Sequence, residues 1–113
     1  MKLSGDAILL RVFLGEADKH EGKPLYEQIV LKARELNIAG ATVLRGVMGY
    51  GARSRLHTAK VLRLSEDMPM VIEIVDTADK LAPLLPFLDE VVDEGMVTQE
   101  KVQVVHYRHG RRD

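Results

Sequence analysis

The chain has 113 residues, 46% of them hydrophobic, 29% charged and none cysteine, which is the size and balance of one globular domain and excludes a disulfide-stapled scaffold or a cysteine-based zinc site. No apolar run approaches the roughly 20 residues of a membrane-spanning helix, and the first residues do not resemble a secretory signal, so a cytoplasmic protein that does not cross a bilayer is expected. The net charge of −1 hides segregation: residues 1–35 are neutral, 36–65 carry five bases and no acid, 66–100 carry ten acids and one base, and 101–113 carry four bases and one acid.

In chain order, residues 7–14 alternate Ile8, Leu10, Val12 and Leu14 with Ala7, Leu9, Arg11 and Phe13, a strand apolar on both faces. After a polar stretch, Leu25, Ile29, Ala33 and Leu36 recur at helical spacing, which predicts a helix over 24–36 with Pro24 in its first turn. A short strand follows at 41–45, then an aperiodic glycine-containing loop over 46–58. Strand patterns at 59–64 and 70–75 flank a turn-like segment and read equally as a hairpin or as one bent strand.

Asp76 or Thr77 caps a second helix, with Leu81, Leu84, Leu85, Leu88, Val91 and Val92 as its apolar stripe. Its acids Asp89, Glu90, Asp93 and Glu94 make a solvated face. Pro83 and Pro86 predict a late start for its regular part, and Gly95 is expected to end it. A last strand runs to Tyr107.

This order, βαββαβ, is that of an α+β, ferredoxin-like sandwich: an antiparallel sheet with two helices on one face. The other face would carry Leu9, Phe13, Val71 and Val75, with Arg11 and Glu73 as cross-strand partners. A face of that composition calls for a subunit interface.

The glycines at 46, 49 and 51 fit neither the dinucleotide fingerprint nor a P-loop, whose glycines are spaced otherwise. They offer backbone N–H groups to an anion, and Arg45, Arg53, Arg55 and the arginines of the C-terminal segment add guanidinium groups suited to phosphate. His106 and His109 fall on opposite faces of an extended strand, so no metal site is expected. Ser54 and His57 lack an acid in their own segment to orient the histidine, and no set of acid, base and nucleophile is visible, so an enzyme is not expected. RNA binding by a ferredoxin-like sheet needs exposed aromatics on central strands, and the chain has two Phe and three Tyr, so nucleic acid is the weaker alternative.

The run GATVLRGVMGYG at 40–51, followed by VIEIV at 71–75, resembles the strand into the long T-loop and the return strand of PII-type signalling proteins. Over nearly the whole chain, including HTAK at 57–60 and LPFLDE at 85–90, it is similar to the PII-like branch known as domain-of-unknown-function family 190. The resemblance implies a homotrimeric regulator without a cofactor, binding an adenine nucleotide or another small anion between subunits. The T-loop would contact a regulated partner such as a membrane transport protein.

Residue by residue, the resemblance places Gly49 and Gly51 at one wall of the ligand cleft. Lys101 would be a phosphate-holding lysine that opens the last strand, and Arg108 and Arg111 would be arginines reaching the phosphates from a neighbouring subunit. Residues 95–100 stand where a PII phosphate loop would be, with one glycine. The partner-binding loop, 47–57, holds Tyr50, Arg53, Arg55 and His57; Tyr50 is the aromatic between glycines and not a uridylylation site. The alternative is a ligand-free structural trimer or interaction module.

Overall fold

The computed structural model describes residues 5–50, 57–58 and 68–108, the pair at 57–58 by backbone alone. The strand expected at 59–64, and the choice between hairpin and bent strand, lie outside the described residues.

Strand β1 (Gly5–Gly15) leads into a hairpin of β2 (Lys19–His20) and β3 (Lys23–Pro24), then helix α1 (Leu25–Glu35). Next come β4 (Gly40–Arg45), the short β5 (Met48–Gly49) and β6 (His57–Thr58), and β7 (Pro69–Asp76). Helices α2 (Ala78–Leu81) and α3 (Leu84–Val91) and strand β8 (Met96–Val104) complete the described fold. The main sheet has the order β4-β7-β1-β8 and is antiparallel throughout, as a ferredoxin-like sandwich requires.

Period-two alternation divides the sheet. Leu10, Val12, Leu14, Met70, Ile72 and Ile74 are buried in one cluster with Leu25 and Ile29 of α1 and with Leu81, Leu84, Leu88 and Val91 of the second helical segment. On the other face Arg11 stands opposite Glu73, the pairing expected from the pattern, and the same register sets Leu9 opposite Val75 and Phe13 opposite Val71.

Helix α1 begins one residue after Pro24 and ends with Asn37 in the left-handed region, φ 59°. There the Ile38 N–H donates to the Ala33 carbonyl oxygen and that of Asn37 to Arg34, which satisfies the last carbonyls. The second helix is in two pieces. Thr77 caps α2, its hydroxyl oxygen accepting from the Lys80 N–H at 3.4 Å. Pro83 sits at the N-cap of α3 and Pro86 in its first turn, where a missing N–H has no helical partner to lose.

Three expectations need correction. Leu85 leaves the stripe and is exposed, because the break at Pro83 resets the helical phase. Gly95 does not end α3, whose C-cap is the extended Val92. Instead Gly95, at φ 145°, is the last residue of the bend that leads into β8, where a Cβ would lie 2.3 Å from the Phe13 carbonyl oxygen. Strand β8 then starts at Met96 and stops at Val104, short of Tyr107.

Candidate functional site

The sequence-derived site residues fall into two corners of the sheet, with Arg108 apart from both, following Tyr107 to the start of the β4 edge. The first is at the end of β4, where Arg45 pairs with Met70 and the Gly46 N–H donates to the Pro69 carbonyl oxygen at 2.7 Å. The backbones approach so closely that a Cβ on Gly46 would lie 2.9 Å from Pro69 Cγ, and one on Gly49 3.3 Å from it. At Gly46 the absence of a Cβ lets the departing and returning chains run this close.

Gly49 lies in β5 and pairs with His57 of β6, so the segment read as an aperiodic loop contains a short ribbon. Strands of two residues are too short to leave a periodic signature. Val47, Met48 and Tyr50 are exposed beside it. Gly51, Arg53, Arg55 and the His57 side chain lie outside the described residues.

The Arg45 guanidinium is not unpartnered: its Nε donates to Glu16 Oε1 at 3.0 Å. The acid missing from 36–65 therefore comes from the end of β1, a pairing that only the topology brings about.

The second corner is at the opposite end of the sheet. Lys101 lies on β8, opposite Ile8, and is exposed. It does not open that strand: residues 96–100, expected as a phosphate loop, are already paired with β1 as its first five positions. The valines at 97, 102 and 104 and the β1 ladder favour extension over a glycine-poor loop.

Beyond Val104 the chain passes to the far edge of the sheet, where the Tyr107 hydroxyl donates to the Ala39 carbonyl oxygen at 3.2 Å. This holds the backbone next to Arg108, which is exposed. The Ala39 N–H in turn donates to Oδ2 of the fully buried Asp76 at 2.8 Å, and Asp76 Oδ1 accepts from the Thr77 N–H at 2.6 Å. Both side-chain oxygens of this buried residue are thus bonded, as burial of a polar group demands. Arg111 lies outside the described residues.

Lys101 and Arg45 sit on opposite edge strands, three strand spacings or about 14 Å apart laterally, and six residues or about 20 Å apart along the strands. One chain therefore does not gather Gly49 and Lys101 around one small ligand.

Between the corners lies the open sheet face. Arg11 Nε donates to Glu73 Oε2 at 3.0 Å, and its Nη1 donates to Glu100 Oε1. The bonds to Glu100 and then Glu73 hold the guanidinium above its ordinary range, so it stays charged. Among the described residues no three His, Asp or Glu side chains gather into a metal-ligating group, and no helix is long and apolar enough to cross a membrane.

Comparison with known proteins places this arrangement. The family model of domain of unknown function 190, described as "Uncharacterized ACR", matches residues 7–104. A UPF0166 protein of Aquifex aeolicus is 36% identical over 100 residues, 87% of this chain and 92% of that one. Among solved structures, CPII of Thiomonas intermedia K12, a nitrogen regulatory PII-like protein bound to ADP, AMP and bicarbonate, superposes with a TM-score of 0.64 at 19% identity, covering 89% of this chain and 90% of CPII. A PII-like signalling protein of Thermus thermophilus, given that function as putative, reaches the same TM-score at 16% identity over 92% of this chain and 94% of its own. The fold is that of PII-like proteins.

Proposed function

The chain belongs to the family of domain of unknown function 190, and on that premise we propose that it is a cytoplasmic PII-like regulator, not a catalyst, that binds a small anionic ligand between the subunits of a homotrimer. The observation that carries this reading is the fold shared with CPII, whose structure holds ADP, AMP and bicarbonate. The separation of Gly49 from Lys101 supports a site completed by a second chain. One protomer would supply Gly49 and Gly51, and its neighbour Lys101, Arg108 and Arg111.

An adenine nucleotide is the favoured ligand, because backbone N–H groups and guanidinium forks both suit phosphate oxygens. The segment with Tyr50, Arg53, Arg55 and His57 would contact the regulated partner, a protein with an acidic surface such as a membrane transport protein. Its bases, in a stretch without acids, would steer that encounter and make it slower at high salt.

Calorimetric titration with ADP, AMP, ATP and bicarbonate tests the ligand. Micromolar binding of a nucleotide is expected, and Arg108→Ala should lose about tenfold or more in affinity, since a charge-assisted bond contributes about 1.5–3 kcal/mol. Absence of heat with all four at millimolar concentration would leave a ligand-free interaction module.

A further inference from the structure

Glu16 makes contacts on both sides of the point where the chain leaves and rejoins the sheet. Its N–H donates to the carbonyl oxygen of the fully buried Met68 at 2.8 Å, on the returning chain. Its carboxylate accepts from Arg45 Nε at 3.0 Å, on the departing chain. The departing and returning chains are themselves joined by the bond from Gly46 N–H to Pro69.

Glu16 also begins the connection between β1 and α1, which is well braced. Asp18 Oδ2 accepts from the Gly15 N–H at 3.0 Å, and the Asp18 carbonyl oxygen accepts from the Leu25 N–H at 2.8 Å at the start of α1. Farther along, the His20 ring of the hairpin meets Phe87 of α3 edge-on at 6.4 Å, with Lys32 Nζ of α1 5.6 Å from the same ring.

We propose that Glu16 is a coupling residue that makes the end of β4, residues 45–46, and the β1–α1 connection one mechanical unit. A displacement imposed on Arg45 is passed to Glu16, and from there to Asp18, the hairpin and the N-terminal end of α1. Arg45 is half exposed and Glu16 about one-quarter exposed, so their attraction is screened and the pair opens without disturbing the core. This coupling is a property of the chain alone and does not rest on the ligand reading.

Hydrogen exchange resolved by residue tests it, because the reporting amides on both sides are hydrogen-bonded: Gly46 on one, Glu16, Asp18 and Leu25 on the other. Arg45→Gln should speed exchange at Glu16 and Asp18, and Glu16→Gln should speed it at Gly46, each by about threefold, the scale of an exposed ion pair. The double variant should exchange no faster than either single one. Raising NaCl to about 1 M, where the Debye length falls to about 3 Å, should bring the wild type to the same rates and leave the variants unchanged. The salt series needs no substitution, and Glu16→Asp, which keeps the charge but shortens its reach, guards against a variant that does not fold. Faster exchange confined to the substituted side, or no change at any of the four amides, overturns the proposal.

Discussion

The two faces of the main sheet come from the same strands and differ in how they are completed. On the helix side, Leu10, Val12, Ile72 and Ile74 are sealed by α1, α2 and α3 within one chain. On the open side, Leu9, Phe13, Val71 and Val75 are only partly covered, Leu44 and Met96 are exposed at the two edges, and the central charge Arg11 is held by two carboxylates of its own chain. The first face is finished by folding. The second is apolar, with its guanidinium already partnered, the condition under which a surface can be buried by another chain without stranding that charge.

Substitutions at neighbouring positions of one strand put this contrast to the test. The largest effect is expected from Ile72→Ala, which opens a cavity under the helices and should cost about 2–5 kcal/mol in urea unfolding. Gly95→Ala comes next. It places a Cβ against the Phe13 carbonyl oxygen at φ 145°, so β8 must shift off β1, at about 1–3 kcal/mol in the same measurement. Val71→Ala, one residue from Ile72 but on the open face, should cost the isolated chain only about 1 kcal/mol or less, and its main effect should be on association.

Arg11→Met should show the smallest effect, and one that depends on pH. Without the guanidinium, Glu73 and Glu100 are left as like charges on the same sheet face, a repulsion that acts only while both are ionised. The variant's deficit relative to wild type should therefore be present at neutral pH and vanish as pH falls below the ordinary glutamate value of about 4.3. In the wild type Arg11 is raised from an already high value by its bonds to Glu100 and Glu73, so the guanidinium itself stays charged across the acidic range. Thermal melts across the acidic range would register the difference.

The faces were legible because alternation is a local signal: the residues that pair Arg11 with Glu73 can be read from two strand patterns alone. The proline break before α3 was legible for the same reason, since a missing N–H acts where it stands. Contacts made by topology were not. Arg45 meets Glu16, 29 residues away, and Tyr107 meets Ala39, 68 residues away, and nothing in either neighbourhood marks the partner. Gly95 looked like a helix terminator because glycine serves both there and in a tight approach to a neighbouring backbone, and only the position of Phe13 separates the two. Of the candidate site, residue types were legible and their separation was not: Gly49 and Lys101 lie at opposite corners because strand order puts β4 and β8 on opposite edges.

The open face therefore carries the central claim, and the mass of the protein in solution tests it most directly. Light scattering at micromolar concentration should give about 38 kDa for the wild type, three times the 12.6 kDa chain. Val71→Glu should give the mass of a single chain that keeps its far-ultraviolet circular dichroism. A wild-type protein that stays at the mass of one chain would contradict the account, because its half-covered apolar sheet face would then be stable in water by itself.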